Sequence, residues 1–390
     1  MFSIALRRHY PAACERHPSK EGNRGGEAAG GWFWFVRKRG GENMAKNGAL
    51  IAMSGGVDST VAAWIMAQNG YDCDGATMRL HTSGGDGEND ARRAAEILGI
   101  PFHVFDFSDC FAKEVIEKFI SAYREGRTPN PCVDCNRSIK FGVFLDKARE
   151  IGKDYLVTGH YVQVEYDKGA GRYILKKAAY SAKDQSYVLY SLTQDQLAHI
   201  IFPLGGFASK DETRAIAREA GLKNAEKGES QDICFVPDGD YVSFITKYTG
   251  SPPEKGRFVD THGRDLGENN GIVSYTVGQR RGLGLAMPEP SYVLEIRPED
   301  NTVIVGGDEL LYSKTLIAKD INFIPISRLD APLKAHVKIR YKQPEQAATV
   351  FQLDDNTMRI EFESPQRAIT KGQAAVIYDG DIVIGGGTIV

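Results

Sequence analysis

Ala52-Met53-Ser54-Gly55-Gly56-Val57-Asp58-Ser59 stands between the apolar run Ala49-Leu50-Ile51 and a helical pattern that begins near Val57. An apolar run, a glycine pair and a helix start read as strand, turn and helix. Gly55 and Gly56 allow a tight turn whose N–H groups point inward, Ser54 and Ser59 add hydroxyl donors, and the following helix directs its positive end at the same spot. An anion such as a pyrophosphate fits there. The run is neither a Walker A loop nor a Gly-x-Gly-x-x-Gly dinucleotide turn. The plainer alternative is a strand-to-helix turn in which the serines only cap the helix.

Working outward, Ala49 to Met53, Cys73 to Met78, Phe102 to Asp106 and Tyr155 to Thr158 read as strands. Helical patterns separate them: one with Val57, Val61, Trp64 and Ile65 on its apolar face, then Glu88 to Leu98 and Phe111 to Tyr123. Strands separated by helix-length crossovers predict a parallel sheet with its ligand site beyond the strand C-termini, where the glycine turn falls. After Tyr161 the rhythm changes to a hairpin, Tyr161 to Tyr166 with Arg172 to Lys177, and short helices at Gln194 to Ile200 and Lys210 to Ala220. Beyond Gly271 helical signal fades, and six strand patterns between Tyr292 and Tyr378 predict a small all-β barrel.

The expected fold class is therefore α/β, with four regions: an extension over 1–43, an ATP-binding catalytic domain over 44–205, a small mixed domain over 206–270, and a β-barrel over 271–390. Met1 to Asn43 holds no sustained period, and acids such as Glu15, Glu21 and Glu27 fit a transit peptide poorly. It reads as a disordered extension, or as the product of an upstream start with Met44 the working initiator, with organelle targeting the lesser alternative. The 390 residues carry a formal net charge of −3, so RNA contact would have to come from local basic patches. Six cysteines do not make a secreted disulfide framework, and no apolar run is long enough for a membrane helix. A cytoplasmic protein with no membrane partner is expected.

Thr128-Pro129-Asn130-Pro131-Cys132-Val133-Asp134-Cys135-Asn136 is the second informative stretch. Its two prolines predict an extended loop that presents Asn130 and the cysteines. Cys-x-x-Cys is read as a metal half-site or a redox pair, structural zinc included. Cys234, in Ser230-Gln231-Asp232-Ile233-Cys234-Phe235, is the one further candidate ligand, since Cys14 lies in the extension and Cys73 and Cys110 fall in burying patterns.

These stretches, with Thr158-Gly159-His160-Tyr161, Lys183-Asp184-Gln185-Ser186-Tyr187, Gly278-Gln279-Arg280-Arg281-Gly282-Leu283-Gly284, Arg340-Tyr341 and Lys371-Gly372-Gln373-Ala374, resemble in order the motifs of the tRNA-specific 2-thiouridylases, a family of PP-loop ATP pyrophosphatases. The resemblance runs from Met44 to the C-terminus. It implies ATP-dependent replacement of the O2 of a tRNA wobble uridine by sulfur, through adenylation of the oxygen. It makes Cys234 the carrier of a persulfide and Cys135 its nucleophilic partner, the two closing a disulfide after transfer. Ala52, Met53, Ser54, Gly55, Gly56, Val57, Asp58 and Ser59 would hold ATP with Mg2+, and Met78 and Gly159 its adenine side. Asn130, Pro131 and Cys132 would touch the target base. His160, Lys183, Asp184, Gln185, Arg340, Tyr341 and Gln373 would contact the tRNA. A sulfur-carrier protein or cysteine desulfurase is the implied donor.

One position departs from the family. Many members carry Asp three residues before the nucleophile, where this chain has Cys132. Two readings follow: Cys132, Cys135 and Cys234 ligate a [4Fe–4S] cluster, or Cys132 is an extra thiol beside a cluster-free persulfide relay. Two other functions stay open at this level, a PP-loop ligase adenylating a small molecule and a metal-stabilised RNA-binding protein. Arg280-Arg281, flanked by glycines, suits a phosphate-contacting turn because two adjacent arginines cannot both be buried unpaired.

Overall fold

The computed structural model describes residues 47–80, 86–222 and 233–390. The extension over 1–43, Cys14, and Gln231 and Asp232 of the second cysteine motif lie outside the described residues.

The apolar run becomes β1 (Gly48–Ala52), the central strand of a five-stranded sheet with β2 (Asp72–Arg79), β3 (Phe102–Asp106), β4 (Tyr155–Val157) and β7 (Ile200–Ile201). The order is β3-β2-β1-β4-β7 and every pairing is parallel. Leu50 and Ile51 are fully buried, as a strand covered on both faces requires. Chain order reverses between β1 and β4, so the turns after these two strands diverge and leave a crevice. Helices α1 (Val57–Gln68) and α2 (Asp86–Leu98) supply the first crossovers. A third helix, α3, runs through Ser108–Phe111, the π-type turn Ala112–Glu117 and Lys118–Arg124.

The cysteine stretch overturns one expectation. It is not an extended loop: Pro131–Asp134 is helical and continues through the π-type stretch Cys135–Val143 into Phe144–Glu150, together α4. Asn130 is the N-cap, its side-chain oxygen accepting from the Cys132 backbone N–H at 3.2 Å, and Pro131 takes the first helical position. Proline lacks an N–H that this position would leave unpaired anyway, so it starts the helix rather than preventing it.

The hairpin β5 (Gln163–Asp167) and β6 (Arg172–Lys176) forms as expected, but β6 pairs with β17 (Ile382–Ile389) at the far end of the chain. Antiparallel strands β12 (Tyr312–Phe323), β15 (Thr357–Arg367), β14 (Gln346–Gln352), β13 (Leu333–Lys338), β16 (Ala374–Asp379) and β17 follow one another, and β12 pairs back to β17 to close a barrel. Between the two lies a four-stranded sheet in the order β10-β11-β8-β9, from β8 (Gly256–Val259), β9 (Asp265–Asn269), β10 (Tyr292–Arg297) and β11 (Thr302–Gly306). The remaining helices used below are α5 (Lys210–Glu219) and α6 (Tyr241–Thr249). One apolar cluster joins Leu50 and Leu156 of the parallel sheet to Tyr187, Tyr190 and the barrel residues Val376 and Tyr378, so the barrel is fastened to the catalytic sheet by shared core.

Candidate active site

The glycine turn sits at the crevice. Gly55 adopts φ +77°, and a Cβ there would stand 2.5 Å from the Gly87 carbonyl oxygen at the start of α2, so only glycine fits. Helix α1 begins at Gly56 and no side chain caps it. Ser59 Oγ instead donates to Gly56 O at 3.0 Å and accepts from Ser54 N–H at 3.2 Å, and the two hydroxyls lie 3.3 Å apart. The serines shape the loop and leave the helix end to another acceptor, which favours an anion cradle over simple capping. Gly159, after β4, packs so closely that a Cβ would lie 2.8 Å from Ser59 N, bringing the two diverging turns into contact.

Asp58 in the first turn of α1 is held from two sides. It pairs with Lys210 and accepts a 2.8 Å hydrogen bond from the buried Tyr161 hydroxyl, which also lies 2.7 Å from Thr213 Oγ1. Lys210 stands over the Tyr161 ring at 5.4 Å. Partial burial lowers the Lys183 pKa, the charges of Lys210 and Arg214 push the same way, and Asp58 opposes them. The cradle is thus flanked by a group of cations whose mutual repulsion a polyphosphate would relieve. Lys210 and Thr213 carry no mark in the sequence that assigns them to this place, and Tyr161 stands in the Thr158–Tyr161 motif without a role given to it; they come from the turn after β4 and the start of α5.

Cys132 and Cys135 lie one turn apart near the start of α4, on one helix face. Cys135 is buried in a cluster with Phe111, Phe119, Ile139, Phe235 and Val236. Phe235 and Val236 directly follow Cys234, so this cluster anchors the second cysteine segment beside the first. Cys132 and Cys234 have exposed surface while their sulfurs are deep enough among neighbouring atoms for burial to raise both pKa values, the condition of a cleft wall. Burial pushes the Cys135 thiol up to about 11, and Cys234, Cys132 and Asp134 add to the rise. Lys140 opposes it on all three thiols. No role falls to Lys140 from the sequence.

Among the described residues no three of His, Cys, Asp or Glu are gathered as ligands of a metal ion, and the free cysteines include Cys132, Cys135 and Cys234. Three thiols are donors suited to a [4Fe–4S] cluster, and Cys132, Cys135 and Cys234 would be its ligands on the first of the two readings.

The residues expected at the RNA divide into two kinds. Tyr341 is exposed beside the cleft: its hydroxyl donates to Asp184 O at 3.2 Å, and Cys132 is among the charges acting on it. Arg280 and Arg281 are also exposed. The others are turned inward. His160 is buried between Phe141 and Phe202, with Nδ1 2.7 Å from Thr158 Oγ1, and burial holds its pKa well below the usual histidine value. Asp184 accepts from Ala178 N–H, Ser186 N–H and Ser186 Oγ, and Gln185 Oε1 accepts from Tyr161 N–H. Arg340 donates to Val277 O, Ala368 O and Thr370 Oγ1. Gln373 donates to Thr128 O at 2.8 Å and Pro129 O at 3.3 Å, so the barrel holds the residues that lead into α4. Asn130 lines a cavity of about 310 Å³ with Val133, Asp134 and Arg137, on the face of α4 opposite the cysteines. Met78 packs between the two main core clusters of the catalytic region.

No described helix is long and apolar enough to cross a membrane. Residues 48–238 match the tRNA methyl transferase HUP domain, 242–307 the tRNA methyl transferase PRC-barrel domain, and 313–389 the aminomethyltransferase beta-barrel domain. The chain is 49% identical over 351 residues to the tRNA-specific 2-thiouridylase MnmA of Clostridioides difficile, covering 87% of this chain and 97% of that protein. It is 48% identical over 359 residues to the same enzyme of Acetivibrio thermocellus, covering 89% and 100% respectively. With this identity spread over nearly the whole of each relative and across all three structural regions, the chain belongs to the tRNA-specific 2-thiouridylase family.

Proposed function

We propose that this protein is an ATP-dependent tRNA-uridine 2-sulfurtransferase working through a cysteine persulfide. The observation that supports the reading is the packing of Phe235 and Val236, which follow Cys234, into the cluster that buries Cys135. The uncapped start of α1 supplies the second half of the chemistry.

A carbonyl oxygen is a poor leaving group, so the uridine O2 attacks the α-phosphorus of ATP and pyrophosphate departs into the cradle of Ser54, Gly55, Gly56 and Ser59. Lys183 and Lys210 balance its charge. Asp58, the carboxylate of the loop, would help to hold Mg2+ bound with the ATP phosphates, where the ion would supply charge neutralisation, since Mg2+ sites need only one or two protein carboxylates beside phosphate. The terminal sulfur of a Cys234 persulfide then reaches C2. Cys135 attacks the inner sulfur of the persulfide, the sulfide passes to C2, AMP leaves, and a Cys135–Cys234 disulfide remains. Both thiols must lose protons in a site where burial opposes ionisation, and Lys140 is the charge that favours it.

Incubation with ATP, a sulfane-sulfur donor and unmodified tRNA should yield 2-thiouridine by mass spectrometry, with AMP and pyrophosphate in equal amounts. ATP cleavage with an adenylated small molecule and no thiouridine would instead make the protein a PP-loop ligase. Tight tRNA binding without either product would make it a binding module.

A further inference from the structure

We propose that Lys338 is a positioning residue for RNA recognition: its ammonium, set against the Tyr341 ring, holds that ring as a platform on which a base flanking the wobble uridine stacks. The inference rests on the thiolation reading above. That reading takes the uridine out of its own stack, which leaves a neighbouring base without a partner on one face.

Lys338 ends β13, where strand alternation puts Ala335 and Val337 in the barrel core and Lys334, His336 and Lys338 on the outer face. Lys334 and His336 are exposed, but Lys338 is partly covered. Its Nζ lies 5.9 Å from the centroid of the Tyr187 ring and 5.8 Å from that of Tyr341. The nearby acids are engaged elsewhere: Glu345 pairs with Lys177 at 2.5 Å, and the Asp184 carboxylate accepts from Ala178 N–H, Ser186 N–H and Ser186 Oγ. Burial lowers the Lys338 pKa and Lys177 pushes the same way, with Asp184 and Glu345 opposing. A cation drawn partly out of water is thus held mainly by ring faces, an attraction that strengthens as water is removed.

Tyr341 is fixed at three points. Its hydroxyl donates to Asp184 O at 3.2 Å, its ring meets that of Tyr187 edge-on at 5.9 Å, and Lys338 stands over it. Tyr187 is fully buried and donates to Ala374 O at 2.8 Å, so the support is itself rigid. Arg340, the residue before Tyr341, ties the end of the strand down through Val277 O, Ala368 O and Thr370 Oγ1. Yet 38% of Tyr341 remains exposed. A ring held this firmly while more than a third of it meets solvent is suited to stacking, because its order is established before the base arrives. It also lies beside the cleft, where Cys132 is among the charges acting on it.

The test uses the full chain and unmodified tRNA. Tyr341→Leu should raise the tRNA Kd about tenfold by removing the stack. Lys338→Met keeps the aliphatic stem and should raise it about threefold, while Lys338→Arg, which keeps the cation, should stay near wild type. If Lys338 acts through the ring, the double variant Lys338→Met with Tyr341→Leu binds no more weakly than Tyr341→Leu alone. The salt dependence of binding should be the same in Lys338→Met as in wild type. With 2-aminopurine placed in turn on either side of the wobble uridine, one position should be quenched by the wild type and brighten in both Tyr341→Leu and Lys338→Met. A log–log salt slope shallower by about 1 in Lys338→Met would make the lysine a direct phosphate contact and overturn the positioning role. Additive losses in the double variant, an unchanged Kd in Lys338→Met, or fluorescence that neither variant alters would each overturn it too, leaving the thiolation reading in place. A wild type that binds no unmodified tRNA and makes no 2-thiouridine would overturn that reading, and the platform with it.

Discussion

The Tyr161 hydroxyl donates to Asp58 Oδ1 at 2.8 Å, linking the turn after β4 to the first turn of α1 across the point where the sheet reverses its order. The same hydroxyl lies 2.7 Å from Thr213 on α5, so one phenol joins three segments around the phosphate cradle. Tyr161→Phe keeps the buried ring and removes both hydrogen bonds. It should cost about 1–3 kcal/mol of stability, because Asp58 and Thr213 lose a partner in a largely enclosed place. The KM for ATP should rise severalfold while tRNA affinity holds. Calorimetry and nucleotide titration would check this, and an unchanged KM would remove the brace from the ATP site.

Gly55→Ala addresses the cradle directly. With φ at +77° and the Gly87 oxygen 2.5 Å from the added carbon, the loop must move to accept a methyl group. ATP binding measured by isothermal titration should weaken at least tenfold. Gly70 also has positive φ but nothing within 4 Å, so Gly70→Ala is the control for backbone strain without the clash.

Lys140 offers a test of the thiol electrostatics. Its charge lowers the pKa of Cys132, Cys135 and Cys234 against the rise that burial imposes. Lys140→Met removes that help, leaves less thiolate at any given pH, and should slow iodoacetamide labelling of Cys135 and Cys234 at pH 8 by threefold or more. Equal labelling rates would show that the field at the sulfurs is set elsewhere.

Gln373→Ala separates two roles. If the side chain positions Thr128 and Pro129 at the entry to α4, the loss falls on kcat, about tenfold, with tRNA affinity within twofold of wild type. A direct RNA contact would instead weaken tRNA binding and leave kcat alone. Filter binding and single-turnover kinetics distinguish the two.

His160 gives a pH dependence with a definite sign. Burial, with Lys140 adding to it, keeps the folded-state pKa well below the unfolded value, so the folded form stays neutral where the unfolded chain takes up a proton. Its contribution to stability is complete above about pH 6.5 and is lost as the pH falls toward the folded pKa, with a slope of up to about 1.4 kcal/mol per unit. Denaturant unfolding between pH 7 and 5 should show a shallower fall for His160→Gln than for wild type, whatever their absolute stabilities.

Some of this was decided by the chain locally. An apolar pentad, two glycines and a helix pattern determine a strand, a turn and an exposed helix start through backbone sterics and nearby hydrogen bonds alone, and the phosphate cradle was legible for that reason. The i,i+3 cysteine spacing was equally plain. The helix beneath it was not, because Asn-Pro suits an N-cap and a first helical position as well as it suits a loop. The Pro131 face chooses between them by packing into the core. Strand β17 was likewise hidden, since Gly385, Gly386 and Gly387 have weak strand propensity and only pairing with β12 and β16 on both edges makes them a strand. The join of β6 to β17, the Tyr161–Asp58–Lys210 brace and the meeting of the Cys135 and Cys234 segments all link residues far apart in sequence. Sequence by itself determined what each segment could be and which chemistry its side chains allow; tertiary structure decided which segments meet, because long-range pairing depends on shapes and buried surfaces that no local pattern encodes.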